Sequence, residues 1–178
     1  EQVNELLDIK SHEKLVTFTA RDYEFESKRN SNYKYIKELS LYCQSEGYRF
    51  ILIPDNANQF PEIEGIEVFR DASINLYKRI SIYQMAQFNI GTAGGPTWMA
   101  RYITNTYMFI TQVHRRGKEI GFYADLRSDY GRKLKWGEQP FEKINMQIIW
   151  GPEDNINKLL LNKKFMELAN KKKTKFPL

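Results

Sequence analysis

The sequence predicts an α/β fold: a largely parallel sheet with helices on both faces. Three observations carry that expectation. Short apolar runs of strand length, at 14–20, 49–53, 65–69, 88–90 and 106–111, alternate with stretches of helical spacing, the pattern of strands covered on both faces. Each of the first four runs ends in polar residues or glycine, as strands do when their carboxyl ends open onto a ligand crevice. The chain has 178 residues, 42% of them hydrophobic and 14% aromatic, enough for one substantial core and cramped for two.

Taken in order, residues 1–9 set Val3, Leu6, Leu7 and Ile9 at helical spacing, so a connector helix is expected there. Lys14 to Ala20, rich in β-branched and apolar side chains, is the first strand and delivers Arg21 and Asp22 to its carboxyl end. The charged segment 22–31 has no sustained period and reads as a surface loop. From Asn32 onward, Tyr35, Ile36, Leu39, Tyr42 and Cys43 recur every three or four residues until Gly47, which predicts a helix with a glycine stop. Pro54-Asp55-Asn56 is turn chemistry after the second strand. A third, short strand ends in Arg70-Asp71, and a helix is expected over 74–86 with Leu76, Ile80, Tyr83 and Met85 on its buried side. Beyond Gln112 the pattern degrades, and 114–137 has no assignment; a lid or an acceptor-side loop is one role open to it. Residues 147–150 read as a last strand, 153–170 as a helix with acidic residues in its first turn, and 171–178 as a basic tail.

The net charge of +5 and pI near 9.1 come largely from Lys163-Lys164 and the terminal Lys171-Lys172-Lys173-Thr174-Lys175. A terminal run of this kind is a solvated tail, and with no recognition motif beside it nucleic acid is not an expected partner. No apolar run approaches bilayer-spanning length, and Glu1-Gln2-Val3-Asn4-Glu5 is unlike a signal peptide, so no transmembrane segment is expected. The single cysteine, Cys43, excludes an internal disulfide and fits a reducing, cytoplasmic compartment. His12 and His114 lack metal-ligand spacing, which argues against a zinc site; His114 stays open as a base or as an ordinary exposed histidine. There is no Gly-x-Ser-x-Gly elbow for a serine nucleophile.

Candidate ligand chemistry centres on Gly91-Thr92-Ala93-Gly94-Gly95-Pro96, where a strand from Phe88 turns into a helix. Gly94 and Gly95 permit a tight turn and close approach of a ligand, Pro96 suits the first helical position, and amides at a helix start attract phosphate. The same residues also read as a strand-to-helix turn whose glycines serve packing alone. The segment is neither a Walker A loop, lacking the lysine and hydroxyl, nor a dinucleotide fingerprint, its glycines being late and wrongly spaced. Arg21, Asp55 and Asp71, at the ends of the first three strands, add a cation and carboxylates to a shared crevice; each taken alone also fits an ordinary turn, cap or surface ion pair.

In their order, a strand ending in Arg21, a loop with Arg29-Asn30, the helix over 33–47, a strand ending at Asp55 and a late Phe-Asn-Ile-Gly-Thr-Ala-Gly-Gly segment resemble the Rossmann-like donor-binding half of GT-B glycosyltransferases. The likeness covers about residues 15–110 and is nearest to fucosyltransferase-like enzymes and to a bacterial group with an Arg…Arg-Asn…Tyr pattern, while the glycine turn is similar to that of heptosyltransferases. The resemblance implies that Arg21 contacts the donor diphosphate, that Thr92, Ala93, Gly94 and Gly95 hold phosphate oxygens, and that Asp55 approaches the nucleotide base. Two departures stand out. Ala20 and Asp22 replace the histidine and second arginine that flank this position in fucosyltransferases, and Thr92-Ala93 replaces the acidic residue and serine of heptosyltransferases.

The expectation is therefore one Rossmann-like nucleotide-sugar-binding domain over 1–178, with a nucleoside-diphosphate sugar as donor substrate, a glycan or other acceptor, and no metal or other cofactor. Since a GT-B enzyme has two such halves, a carboxyl-terminal piece partnered by an amino-terminal acceptor domain stays open. The alternative class is a non-catalytic α/β interaction or regulatory module that binds a protein or an anionic metabolite.

Overall fold

The structure, a computed structural model, describes residues 3, 7–24, 27, 30–56, 61–92, 94–99, 107–113 and 146–150. Its strands are β1 (Lys14–Ala20), β2 (Tyr48–Pro54), β3 (Glu67–Val68), β4 (Phe88–Thr92), β5 (Tyr107–Val113) and β6 (Met146–Trp150). They pair in parallel throughout, in the order β3-β2-β1-β4-β5-β6. The helices are α1 (Tyr33–Ser45), α2 (Asp71–Ile74), α3 (Leu76–Met85) and α4 (Gly95–Met99). This is the expected α/β, Rossmann-like arrangement. Among the described residues no helix is long and apolar enough to cross a membrane.

Alternation along the central strands sends successive side chains to opposite faces, and the two faces differ in chemistry. On one, Val16, Phe18 and Ala20 of β1 join Phe50 and Leu52 of β2 and Phe88 and Ile90 of β4 under Ile36, Leu39 and Cys43 of α1. The side chains that these described strands contribute to it are all apolar. On the other, Thr17 donates to Asn89 Oδ1, Asn89 Nδ2 donates to the Tyr83 carbonyl at 3.0 Å, and the Thr19 and Tyr83 hydroxyls bond at 2.5 Å. α3 is thus docked through buried, satisfied polar groups, which fix its register more narrowly than apolar contact does.

α1 begins where the spacing places it. The Asn32 side chain accepts from the Lys34 N–H at 3.0 Å, and Gly47 ends the helix at φ +78°, a conformation that favours glycine. The helix expected over 74–86 is α3, two residues later in its start and preceded by the separate short α2. Asn75 accepts from the Lys78 N–H at 3.1 Å and caps α3, separating it from α2. On α3 Tyr83 is buried as expected, together with Arg79 and Ile82, while Leu76, expected inside, is at the first turn and 51% exposed. The third strand is shorter than 65–69: Gly65 lies in a turn at φ +79°, and only Glu67 and Val68 pair, with Ile51 and Leu52. Of the expected amino-terminal helix, Val3 and Leu7 are described and helical. The expected helix over 153–170, the tail 171–178 and the segment 114–137 lie outside the described residues.

Arg49 ties the amino-terminal end of the sheet together. Its Nε and Nη2 donate to the two Glu67 carboxylate oxygens, each at 2.9 Å, while Nη1 donates to Glu13 at 3.0 Å and to the Asp8 carbonyl at 3.2 Å. One guanidinium therefore spans β2, β3 and the segment before β1. Glu13 is held below its ordinary value of 4.5, first by the Lys10 N–H and then by Arg49. A depressed carboxyl stabilises above its unfolded pKa and loses that share as pH falls through the folded value. Arg49→Met is expected to cost roughly 1–2 kcal/mol near neutral pH in urea unfolding, a modest figure because the partners are partly solvated. The deficit should shrink as pH falls through the depressed Glu13 value, where protonation of that carboxylate removes its bond to Arg49 in the wild type as well.

Candidate functional site

Strand order reverses between β1 and β4: β2 and β3 lie to one side, β5 and β6 to the other. The crevice beyond the carboxyl ends at such a reversal is where open parallel sheets bind ligands. Arg21 leaves β1 at this point, and the turn after β4 faces it.

Ser31 joins the two. Its Oγ accepts from the Arg21 N–H at 3.0 Å and bonds the Thr92 hydroxyl, while its own N–H donates to the Arg21 carbonyl at 2.8 Å. The intervening loop is clamped by Asn30, which accepts from the Tyr23 N–H at 3.0 Å and donates to the Tyr23 carbonyl at 2.8 Å and to Asp22 at 3.0 Å. Tyr33 of α1 donates its hydroxyl to the other Asp22 oxygen. So Asp22, Asn30 and Tyr33, the last two from the Arg-Asn…Tyr pattern, hold backbone in place; Arg29 lies outside the described residues.

Asp55 follows β2, where its N–H donates to the Ala20 carbonyl at 2.7 Å and extends the ladder between β1 and β2 by one bond. Its side chain is 7% exposed, and Oδ1 faces Arg79 Nη1, itself on a side chain 4% exposed, at 3.9 Å. That is an ion pair too long for a hydrogen bond, and among the described residues these two atoms are buried without a hydrogen-bond partner. The Tyr23 hydroxyl bonds the same carboxylate. Burial pushes the Asp55 carboxyl above the ordinary aspartate value against the pull of Arg79, Tyr23 and Arg21. Tyr23 is raised as well, by burial and then by Asp55. The Arg21 guanidinium lies over the Tyr23 ring, 4.6 Å from its centroid.

The turn after β4 works differently from the expectation. Neither Gly94 nor Gly95 has positive φ, and a Cβ on Gly95 meets nothing within 4 Å. Gly91 is the position where a side chain has no room: a Cβ there stands 2.6 Å from Thr97 Oγ1 and 3.2 Å from the Thr19 Cβ. α4 packs that closely because Thr97 donates to the Thr92 carbonyl at 2.8 Å. Packing thus explains Gly91, and it leaves Gly94 and Gly95 without a steric reason of their own. A Cβ on Gly94 lies 3.7 Å from Asp55 Oδ2, so the turn passes over the Asp55 carboxylate. Ala93 and His114 lie outside the described residues.

Arg21, Asp55, Thr92 and Gly94 therefore come together. Asp71 does not join them by any described contact; its half-exposed carboxylate pairs with Lys78 Nζ, tying α2 to α3. The sequence reading missed Tyr23, Ser31 and Arg79. The first two sit in a segment without period, and Arg79, beside Lys78, reads as part of a solvated face.

Fold and site together define a doubly wound α/β unit with a polar crevice at its switch point. A solved structure with this fold is that of a glycosyl transferase of family 9 from Veillonella parvula, at 10% sequence identity and a TM-score of 0.53. The match takes in 90% of this chain and 42% of the other, so the chain spans less than half the length of that protein. No protein-family model and no curated protein matches the sequence.

Two substitutions test this geometry. Gly91→Ala is expected to destabilise by about 1–3 kcal/mol through overpacking against Thr97 and Thr19, whereas Gly95→Ala is neutral or stabilises by up to about 1 kcal/mol. Thermal and denaturant unfolding distinguish them. Arg79→Met should cost about 3–5 kcal/mol near pH 7 by leaving Asp55 buried without its cation. Because a raised carboxyl favours the fold below its unfolded pKa and loses that share as pH rises, the deficit should narrow toward about pH 4. Adding Asp55→Asn should recover part of it.

Proposed function

We propose that this chain is the donor-binding half of a GT-B glycosyltransferase, which holds a nucleoside-diphosphate sugar for transfer to a glycan or other acceptor. The observation that carries the proposal is the convergence of Arg21 and the glycine turn where strand order reverses. Arg21 stabilises the departing diphosphate through charge-assisted hydrogen bonds, and the backbone from Thr92 through Ala93 and Gly94 to Gly95 donates to phosphate oxygens. Asp55, beneath Gly94, borders the base end of the site, and Asp71 belongs to its outer rim. In this reading the transfer is inverting, and with a fixed cation doing the work of charge neutralisation it is also metal-independent. An amino-terminal acceptor domain is the partner this chemistry requires, and a cytoplasmic location matches the donor.

The test is a thermal-shift screen of nucleoside diphosphates followed by calorimetric titration. A ligand at one hundred times its Kd adds about 2.7 kcal/mol of stability. Arg21→Ala should remain folded yet lose about 2–5 kcal/mol of diphosphate affinity, with a smaller loss for the matching monophosphate. Wild-type binding should survive a chelator; restoration by Mg²⁺ or Mn²⁺ of binding lost to chelation would overturn metal independence. The second reading, a non-catalytic interaction module, is favoured by Ile74 and Tyr77, exposed at 82% and 84% beside the α2–α3 junction. Silence toward every nucleoside diphosphate at millimolar concentration decides for it.

A further inference from the structure

A long arginine side chain at a strand end loses conformational freedom when it binds an anion, and support that orders it beforehand reduces that loss. The residue below Arg21 has the features of such a support. Tyr23 offers its ring to the guanidinium at 4.6 Å, inside the range of a cation–π contact. Tyr23 is itself held at three points, two of them on its backbone. Asn30 bonds both the N–H and the carbonyl of Tyr23, and Asp55 bonds the hydroxyl. Asp55 in turn is fixed by its N–H bond to Ala20 at 2.7 Å and by the buried Arg79, which donates to the Ala72 and Pro54 carbonyls at 2.6 and 3.1 Å. A chain of buried polar contacts thus runs from α3 through Asp55 to the tyrosine under Arg21.

We propose that Tyr23 is a positioning residue for Arg21, held by Asn30 through its backbone and by Asp55 through its hydroxyl, on whose ring the guanidinium is set in place for a diphosphate. The inference rests on the donor-binding function proposed for this site. It makes Asp55 and Arg79 second-hand contributors: they act on the anion through the tyrosine and the arginine.

The experiment compares wild type with Tyr23→Leu, Tyr23→Phe, Arg21→Ala and the double variant Arg21→Ala/Tyr23→Leu, each checked for folding by circular dichroism and thermal unfolding. The probe is whichever nucleoside diphosphate stabilises wild type most, titrated calorimetrically beside its monophosphate. Tyr23→Leu should weaken diphosphate binding roughly two- to thirtyfold, the span of a cation–π contact, and the monophosphate less. Tyr23→Phe, which keeps the ring, should recover most of the affinity. In the Arg21→Ala background the leucine substitution should change little, since the tyrosine acts through the arginine. Equal losses with and without Arg21, or wild-type affinity in folded Tyr23→Leu, would overturn the assignment.

A ligand-free readout separates this inference from the functional reading. The side-chain Nε–H resonance of Arg21 should report an ordered group in wild type and Tyr23→Phe and a mobile one in Tyr23→Leu. If wild type binds no nucleoside diphosphate while the resonance behaves in this way, the donor site fails and the positioning stands. An Arg21 signal equally ordered in Tyr23→Leu overturns the positioning whatever the titrations give.

Discussion

A guanidinium only 4% exposed needs its charge met, and much of the carboxyl end of this sheet follows from how Arg79 is placed. Its Nε and Nη2 are bonded to carbonyls, while Nη1 faces the Asp55 carboxylate beyond hydrogen-bond distance. It reaches the Ala72 carbonyl of α2, the Pro54 carbonyl at the end of β2 and the Asp55 carboxylate. Ser73 adds a bond to the same Pro54 carbonyl at 2.6 Å. The end of β2 is thus a fixed point to which α2 and α3 are both tethered. Since Asp55 accompanies Pro54, the carboxylate under the glycine turn is fixed along with it. Burial of the pair is costly taken alone, so its contribution is to geometry more than to net stability.

The two faces of the sheet divide the labour. The α1 face is apolar and supplies burial, with Tyr48 and Phe88 rings 5.3 Å apart and Phe18 stacked on Phe50 at 6.4 Å. Such a face tolerates small slips. The α3 face carries Thr17, Thr19, Asn89 and Tyr83, whose hydrogen bonds are lost by a displacement of an ångström or less. Helix α4 is held on that face by the absence of a side chain at Gly91. Elements that border the crevice are therefore those with the narrowest positional freedom, as expected where a site depends on the placement of a few groups.

The alternation of strands and helices was legible because strands buried on both faces must be continuously apolar, and 14–20, 49–53 and 88–90 are nearly so. Asn32 and Gly47 made α1 legible for the same reason they make it stop and start. Asn75 carries an equally good capping side chain, yet it sits within an apolar run from Ile74 to Leu76, and periodicity outweighed it. The site was legible as strand ends and illegible as partnerships. Arg21, Asp55 and the glycine turn could be named from position, but which strand lies beside β1 is a property of the assembled sheet. That β4 does so is what brings Ser31 to Thr92 and Gly94 over Asp55. Asn30 was legible as part of the Arg-Asn pattern but not as a clamp, and Tyr23 gave no signal, since a charged loop without period does not reveal that its backbone is held.

Three arginines in this chain show how environment assigns a role to one side chain. Arg49 spends the edge of its guanidinium on Glu67, Glu13 and backbone carbonyls, an arrangement that joins segments and more than offsets its charge. Arg79 spends its edge on carbonyls and faces one carboxylate in a dry interior. Arg21 is supported on its face by an aromatic ring, and a π face is not a hydrogen-bond acceptor at the guanidinium edge. Planar anions are recognised through that edge, by parallel N–H donors. Support from a ring orders a cation without itself supplying a counter-charge, whereas Arg49 is bonded to two carboxylates and Arg79 faces one.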